Sequence, residues 1–183
     1  LSGFDVVYLL GVDEIDPSRF ANAFVIYQGS HGDNGAHRAD VILPGSAYTE
    51  KSVTYVNTEG RAQMTAKAAF APGLAKDDWA IIRALSAVAG QALPYDTIDV
   101  LRQAMVKAVP ALGRLDQLVT ADAPGLAKLA AQAITVSTEP LKPVVRDYYM
   151  TNPIARASAI MAELSLLSRG ASTAGAMPRQ AAE

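Results

Sequence analysis

The feature that most constrains the fold of this chain is the stretch Ala39–Gln63, which reads ADVILPGSAYTEKSVTYVNTEGRAQ. It opens with an apolar run that we predict to be a buried strand stopped by Pro44. Two alternating segments follow, Val53–Asn57 and Arg61–Thr65, and they predict the arms of a β-hairpin. Gly60 supplies the positive φ that such a connection often needs. This succession is too particular for a generic turn.

The residues before the hairpin predict an α/β domain. Val6–Leu10 and Phe24–Tyr27 are continuous apolar runs, typical of strands covered on both faces of a parallel sheet. Between them, Asp16 and Pro17 favour a short helix, with Asp as the N-cap and Pro at the first helical position. Val41–Leu43 is the third short strand. We therefore predict short parallel strands and a hairpin, followed by a mainly helical C-terminal part.

From Asp77 onward the pattern becomes helical. Helices are predicted from Asp77 or Asp78 to Gly90, from Thr97 to Val109, from Pro124 to Ile134 and from Asn152 to Gly170. Glu139–Met150 is extended and punctuated by proline. The chain thus divides into the end of an α/β domain (1–75), a helical region (76–138), an extended arm with a C-terminal helix (139–169) and a flexible tail (170–183).

Composition excludes several classes of function. The 16 basic residues are scattered and the net charge is −2, so the clustered basic surface that binds nucleic acid is not expected. Cysteine is absent, which excludes disulfides and thiolate-ligated zinc or iron–sulfur sites within these residues. No apolar run approaches the ~20 residues of a membrane-spanning helix. We therefore expect no direct insertion into a membrane.

The first residues favour a piece of a longer protein. The chain begins at Leu1, without an initiator methionine or a basic leader, and enters its first apolar run within a few residues. A free-standing domain is not expected to begin at the edge of its own sheet.

The loop Gln28–Asp40 leaves the end of the second strand, where open α/β sheets bind ligands. His31, Asp33 and His37 are candidate metal ligands, and the backbone amides of Gln28–His31 are candidates for binding a phosphate. Against a phosphate site, the loop is not a GxGxxG motif and no helix clearly begins right after Gln28–His31. Against a metal site, no helix or hairpin fixes the geometry of the candidate ligands. We therefore interpret it as a loop of tight glycine and Asx turns.

Other polar residues are interpreted structurally. Glu50, Glu59 and Arg61 could suggest acid–base chemistry, but we interpret them as surface charges, with a Glu59–Arg61 ion pair worth at most ~1 kcal/mol. The pair Tyr148–Tyr149 is open to two interpretations, contact with another protein or packing on the chain's own core. We predict no catalytic, cofactor-binding or metal-binding residue in this chain.

Two segments resemble a known family. The segment Phe24–Gln63 resembles the C-terminal portion of the largest iron–sulfur subunit of respiratory complex I, the NADH:quinone oxidoreductase. Tyr148–Ser165, YYMTNPIARASAIMAELS, resembles the end of that subunit in its mitochondrial and alphaproteobacterial form. The pattern ADVILP…EGRAQ is shared with molybdopterin oxidoreductases at large, whereas YQGSHGDNGAHRADVILPGSAYTEK is specific to the complex I branch.

The resemblance implies a division of labour. The N-terminal part of such a subunit holds [4Fe–4S] and [2Fe–2S] clusters and passes electrons from the flavin-bearing subunit toward quinone, coupled to proton translocation. The C-terminal part adopts the molybdopterin-enzyme fold without its cofactor. This chain would then be a structural part of an oxidoreductase subunit, and its partners would be other peripheral-arm subunits, including the flavin-bearing one.

Two alternatives stay open. The chain could belong to a genuine molybdopterin enzyme such as a formate dehydrogenase, with the loop Gln28–Asp40 contacting the pterin phosphates. A downstream domain of alternating strands would favour that enzyme, whereas the residues after Thr65 predict helices and extended linkers. The chain could also be a free α/β module that binds a small phosphorylated ligand. The alanine-rich composition is typical of bacteria with GC-rich genomes, and in a bacterium the protein would lie on the cytoplasmic face of the inner membrane. The alternative is the matrix side of the mitochondrial inner membrane.

Overall fold

The structure is a computed structural model that describes residues 3–118, 120, 122–132, 135–145 and 147–169. The chain forms two compact units, and each is built from segments that are distant in sequence. The first unit contains Leu1–Tyr27, His31–Val41 and Pro140–Glu183, and the second contains Gln28–Ser30 and Ile42–Glu139.

A three-stranded sheet organises the first part of the chain. Its strands are β1 (Val6–Leu10), β2 (Phe24–Gly29) and β3 (Val41–Pro44), in the order β1-β2-β3. The amide of Asp40 donates to the carbonyl of Val25 at 2.8 Å, and that of Gly45 donates to Gly29 at 2.9 Å. Because the paired residues advance together along the chain, β2 and β3 are parallel. The predicted short parallel strands are confirmed.

The core of the first unit lies on one side of its strands. It consists of Leu9, Phe20, Ala23, Val25 and Tyr27. Alternate residues of β1 and β2 point to opposite faces, and Val6, Leu10 and Phe24 are about half exposed. The prediction that these strands are covered on both faces is therefore wrong for the described residues. The predicted burial of Val41–Leu43 is also wrong at Val41 and Ile42, because β3 is an edge strand.

Local sequence signals explain the connection between β1 and β2. Residues Pro17–Phe20 form a 3-10 helix, and the carboxylate of Asp16 accepts the amide of Ser18 at 3.0 Å, as predicted for an N-cap. The loop after β2 differs from the prediction, because it contains a short helix α1 (Asn34–Arg38). The amide of Gly35 in α1 donates to the carboxylate of Asp13, a distant contact that no local pattern encodes.

The predicted hairpin is confirmed in the second unit. Strands β4 (Thr54–Val56) and β5 (Ala62–Met64) are antiparallel, with Tyr55 opposite Gln63. Gly60 has a φ of 83°, the left-handed conformation that glycine adopts without steric cost. The side chain of Asn57 accepts the amides of Glu59 and Arg61, each at 3.0 Å. These two bonds close the turn.

The second unit also contains three α-helices among its described residues. They are α2 (Asp78–Val88), α3 (Ile98–Ala108) and α4 (Ala123–Ala130). Thr97 caps α3 by accepting the amide of Val100, and Gly90 follows α2 with a φ of 82°. Helix α4 ends before the predicted Ile134, which lies outside the described residues. In the described residues beyond Met64, the regular structure is helical apart from one parallel bridge between Gly45 and Lys76.

The C-terminal part of the first unit corrects one prediction. The single helix predicted from Asn152 to Gly170 is two helices, α5 (Pro153–Arg156) and α6 (Ala159–Ser168). The break occurs because the hydroxyl of Ser158 accepts the amide of Met161 at 3.4 Å and acts as a new N-cap. The predicted tail, 170–183, lies outside the described residues. Within the described ranges, no helix is both long enough and apolar enough to cross a membrane.

Candidate functional site: polar networks beyond strand β2

The first network surrounds Asp13, which is buried in the first unit. One carboxylate oxygen accepts the amide of Gly35 at 3.1 Å, and the other lies 3.1 Å from the hydroxyl of Tyr27. That hydroxyl also lies 2.6 Å from the carbonyl oxygen of His31. Because a tyrosine hydroxyl has one hydrogen, it donates to one of these oxygens at a time. The bond from Gly35 attaches helix α1 to Asp13. The Tyr27 hydroxyl holds the loop just before α1 through the carbonyl oxygen of His31.

Gly35 makes this attachment sterically feasible. A Cβ atom at Gly35 would lie 2.5 Å from the carbonyl oxygen of Val12 and 3.0 Å from a carboxylate oxygen of Asp13. It would also lie 3.0 Å from the ring of Tyr27. Only a residue without a side chain lets α1 approach the backbone this closely.

Tyr27 is held in its neutral form. Burial raises the pKa of its hydroxyl well above the usual value of 10.0, and the nearby carboxylate of Asp13 raises it further. Both effects disfavour the phenolate anion. Tyr27 therefore acts as a hydrogen-bond donor in the folded chain.

We expect the stability of the chain to fall as the pH rises above 10, because Tyr27 loses its proton more readily when unfolded than when folded. Below pH 10 this contribution is fully present. The free energy of unfolding, measured by urea denaturation from pH 8 to pH 11, should show the decline. In a Tyr27→Phe variant the decline should be smaller, and a decline of equal size would contradict this assignment.

A second cluster in the first unit is centred on Arg156, the last residue of α5. Its guanidinium donates to the carboxylate of Asp33, to Glu14 at 3.2 Å and to the carbonyl of Met150 at 3.3 Å. Burial favours the neutral form of Arg156, but the bonds to Asp33 and Glu14 outweigh it and raise the pKa of Arg156 above its usual value. Arg156 therefore ties the C-terminal segment to the loop that follows β2.

Replacing Arg156 by methionine is expected to lower the free energy of unfolding by about 1–2 kcal/mol. This loss lies between the small loss measured for breaking an exposed ion pair and the larger loss for breaking a buried one. The side chains of Arg156 and Asp33 are about four-fifths buried, and the variant leaves the carboxylate without its partner. Arg83→Met is the matched control, because Asp96, its partner at 2.9 Å, is 83% exposed. The control should lose at most about 0.5 kcal/mol. Equal losses would contradict the prediction.

The second unit contains a separate network around Asp78, at the start of α2. Gln28 is buried, and its side-chain amide donates to one carboxylate oxygen of Asp78 at 2.9 Å. The other oxygen pairs with the ammonium group of Lys51. A Cβ atom at Gly45 would lie 2.8 Å from the first oxygen, so the carboxylate packs directly against backbone. Asp78 thereby fixes the start of α2 to the end of β2.

These donor sets do not fit the phosphate of a pterin cofactor. In the second unit, the amide of Gln28 and the cation of Lys51 are bonded to Asp78, whose negative charge would repel a phosphate placed beside them. Asp77 and Asp78 also put two carboxylates at the N-terminus of α2, the end that the helix dipole makes attractive to anions. In the first unit, the loop presents the carboxylate of Asp33. The carboxylates of Asp78 and Asp33 therefore already bind Lys51 and Arg156, two cations that could otherwise bind an anion.

The histidines considered as metal ligands take backbone roles in the described contacts. The carbonyl of His31 lies beside the Tyr27 hydroxyl, and the amide of His37 donates to the carbonyl of Asp33 within α1. Across the part of the chain that the structure describes, no group of three or more His, Cys, Asp or Glu side chains is placed to hold a metal ion. That the chain has no metal-binding residue stays a prediction.

The acidic residues considered for acid–base chemistry lie in turns. Glu59 and Arg61 form an exposed ion pair at 3.4 Å, and Arg61 also donates to the carbonyl of Asp116 at 3.1 Å. The carboxylate of Glu50 accepts the amide of Ala47 at 2.9 Å. Each contact stabilises a local turn or holds the hairpin to a neighbouring segment.

The two adjacent tyrosines take different positions. Their rings meet edge to face with centroids 5.8 Å apart. Tyr148 is 82% exposed, whereas Tyr149 is partly buried. Both line a shallow groove with Met161 and Leu164 of α6. Tyr149 therefore packs on its own unit while Tyr148 presents its ring to the surroundings.

Sequence reasoning missed the three residues that organise these networks. Asp13 lies three residues after the end of β1, and the carboxyl ends of parallel strands are where functional polar residues gather. Its position after a predicted strand could therefore have identified it. Asp78 was interpreted only as a helix start. Nothing in the sequence pairs Arg156 with Asp33, because 123 residues separate them.

Two family models match the chain in succession. Residues 1–88 match the molybdopterin oxidoreductase model, and residues 118–164 match a model of the C-terminal region of an NADH-ubiquinone oxidoreductase subunit. The first match covers the parallel strands, the hairpin and α2. The second covers α4, α5 and part of α6.

Curated relatives agree with these models. The chain is 47% identical over 164 residues to the 78 kDa subunit of mitochondrial NADH-ubiquinone oxidoreductase from Neurospora crassa, an alignment that covers 87% of the chain. It is 47% identical over 163 residues to the mitochondrial NADH dehydrogenase [ubiquinone] iron-sulfur protein 1 of Solanum tuberosum, covering 88%. It is 44% identical over 159 residues to the 75 kDa subunit of NADH-ubiquinone oxidoreductase of Reclinomonas americana, covering 87%.

The aligned region is a small part of each relative. It spans 22% of the Neurospora crassa and Solanum tuberosum proteins and 23% of the Reclinomonas americana protein. The agreement of family models and relatives supports the complex I interpretation over the formate dehydrogenase alternative. The chain belongs to the family of the 75–78 kDa iron–sulfur subunit of NADH–ubiquinone oxidoreductase, a branch of the molybdopterin oxidoreductases.

Proposed function

We propose that this chain is a structural part of the iron–sulfur subunit of NADH:quinone oxidoreductase. The complete subunit would pass electrons from NADH, through iron–sulfur clusters, toward quinone, coupled to proton translocation. The observation that carries the proposal is the identity of 44–47% to such subunits along most of the chain. The proposed role of the chain is to hold the cluster-bearing part in position and to offer surfaces to neighbouring subunits.

The chemistry of the chain supports a role without catalysis. The sequence has no cysteine, and iron–sulfur clusters are held mainly by cysteine thiolates. We therefore assign the [4Fe–4S] and [2Fe–2S] clusters to the rest of the subunit and none to this chain. We assign no catalytic, cofactor-binding or metal-binding residue here, and the carboxylates of Asp33 and Asp78 argue against a bound pterin phosphate.

The proposed partners are other peripheral-arm subunits of the complex, including the flavin-bearing subunit. Two of the relatives are named as mitochondrial proteins. We place this protein peripherally at the membrane that carries the complex. The alanine-rich composition favours the cytoplasmic face of a bacterial inner membrane, whereas these two names favour the alternative, the matrix side of the mitochondrial inner membrane.

The metal content of the complete parent protein, purified in its native membrane-associated assembly, tests the proposal. We expect abundant iron, no molybdenum and NADH-dependent reduction of a quinone analogue. About one molybdenum per chain would be the result for a true molybdopterin enzyme. That result would overturn the proposal and make the loop Gln28–Asp40 the first region to mutate.

A further inference from the structure

The residues that lead into the C-terminal part of the first unit are all exposed. We call residues 140–145, which read PLKPVV, the proline segment. Each of the six is exposed, and the relative exposures of Leu141 and Val144 are 102% and 95%. Burying a large apolar side chain of this kind contributes about 1.5–3 kcal/mol. Among the described residues, nothing supplies that burial to Leu141 or Val144.

The backbone of the proline segment is as open as its side chains. Within the described ranges, none of its amides or carbonyls takes part in a backbone hydrogen bond, and no helix or strand includes it. Pro140 and Pro143 fix φ near −65° and have no N–H group. Lys142 precedes a proline, which pushes its backbone toward the extended region. An extended backbone without internal hydrogen bonds is typical of a polyproline II helix.

The sequence matches the period of that helix. A polyproline II helix has three residues per turn, so residues three apart lie on the same edge. Pro140 and Pro143 share one edge, and Leu141 and Val144 share the next. Lys142 lies on the third edge, and its ammonium group has no ion pair among the described residues. The proline segment therefore presents two apolar edges and one cation.

The missing N–H groups distinguish between two modes of peptide recognition. In strand addition, an extended peptide binds the edge of a sheet through its backbone N–H and C=O groups. Pro140 and Pro143 cannot donate, and proline is tolerated in sheets only at edges, strand starts and bulges. In polyproline II recognition, the peptide docks in a groove lined by aromatic side chains and loses little entropy, because its shape is preformed. The proline segment favours the second mode.

The position of the proline segment in the chain indicates where its partner belongs. The segment lies within residues 118–164, which match the model specific to an NADH-ubiquinone oxidoreductase subunit. It lies beyond residues 1–88, which match the broader molybdopterin oxidoreductase model. A segment outside the match to the broader family is suited to a neighbour that the complex I assembly supplies.

We infer that the proline segment docks as a polyproline II helix in an aromatic-lined groove on another polypeptide of the same assembly. Its two apolar edges pack between the aromatic rings of the groove. A carboxylate of the partner beside the groove pairs with Lys142 in a charge-assisted hydrogen bond. The inference rests on the proposed function, because it places the chain within the NADH:quinone oxidoreductase.

Photo-crosslinking identifies the polypeptide that covers the proline segment. A benzophenone amino acid replaces Leu141 in the complete subunit, and the native assembly is purified and irradiated. We expect a crosslink to a different polypeptide of the assembly, beside aromatic side chains, located by peptide mass spectrometry. A crosslink within the same polypeptide, a crosslink between two copies of it, or no crosslink would overturn the inference. The same probe at Leu74, which is 82% exposed in the second unit, is the control for general crosslinking.

Thiol labelling tests the mode of docking. The sequence has no cysteine, so a Val144→Cys substitution adds a single thiol to this part of the subunit. Maleimide reacts with this thiol when the proline segment opens away from its partner. Replacing Pro140 and Pro143 by alanine should raise the labelling rate in the native assembly by about two- to fivefold for each proline, because a less restricted backbone loses more entropy on docking.

Strand addition predicts the opposite change. Alanine restores the two missing N–H donors, so pairing with a sheet edge would become stronger and labelling slower. Slower labelling, or an unchanged rate, would overturn the inference. A Leu74→Cys thiol is the matched control, and its labelling rate should not respond to the proline substitutions. Neither measurement uses metal content or electron transfer, so a failure of the inference is distinguishable from a failure of the proposed function.

Discussion

Gly35→Ala is expected to destabilise the first unit by about 3 kcal/mol, the upper end of the cost of overpacking a well-packed site. The added methyl would lie 2.5 Å from the carbonyl oxygen of Val12, and backbone cannot move aside as a flexible side chain does. Relief would require α1 to move outward, which would break the bond from Gly35 to Asp13. The loss should appear as a lower midpoint in urea denaturation.

Gly32→Ala is the matched control for this substitution. Gly32 lies in the same loop, and its added methyl would meet the side-chain methyl of Ala36 at 3.2 Å, the one atom within 4 Å among the described residues that are not its chain neighbours. A shift of a few tenths of an ångström relieves that contact, so the control should lose less than about 1 kcal/mol. If both variants lose the same amount, the close approach of α1 is not what Gly35 provides.

Asp78→Ala is expected to cost about 2–3 kcal/mol, because it removes the carboxylate that pairs with the cation of Lys51 and accepts the shorter bond from the buried amide of Gln28. That amide keeps its 3.3 Å bond to the backbone carbonyl of residue 78. Gln28 is fully buried and the side chain of Lys51 is 16% exposed, so water compensates little. The change in the free energy of unfolding is the measurement. An Asp78→Asn variant keeps an acceptor for Gln28, and we expect it to recover part of the loss.

Asp77→Ala separates this effect from that of a negative charge at the start of the helix. Asp77 precedes Asp78 at the start of the same helix, but its side chain accepts no capping bond and its contact with the Ser46 hydroxyl is 3.4 Å long. We expect a loss of less than about 1 kcal/mol, within the range for helix-end charges. Equal losses at the two positions would mean that Asp78 acts only through the helix dipole.

The elements that sequence reasoning found depend on neighbours in the chain. The hairpin follows from Gly60 and alternating arms, and α3 begins where the Thr97 hydroxyl caps it. The break between α5 and α6 could also have been predicted, since serine is a favoured N-cap residue and Ser158 precedes α6. The apolar residues on both sides of Ser158 have helical spacing, so we predicted one continuous helix. The resemblance of Phe24–Gln63 to the complex I family was confirmed by the comparisons.

The candidate site could not be predicted in the same way, because its contacts are distant in sequence. Gln28 and Asp78 are 50 residues apart, and Gly35 and Asp13 are 22 apart. Helix α1 has no apolar periodicity and is stabilised by the carboxylate of Asp13, so the loop sequence alone predicts only turns. The exposure of Val6 and Phe24 also differs from the prediction, because a continuous apolar run is typical of a strand covered on both faces.

The discontinuity of the first unit has a consequence for synthesis on the ribosome. The N-terminal segments of this unit, which contain β1 and α1, have been translated once the ribosome passes Val41. The C-terminal segment of the same unit begins only at Pro140. At about 5–20 residues per second, the roughly 100 residues between them take about 5–20 s to translate. Throughout that interval the carboxylate of Asp33 has no Arg156 to pair with, so the first unit cannot be completed until its C-terminal helices have been translated.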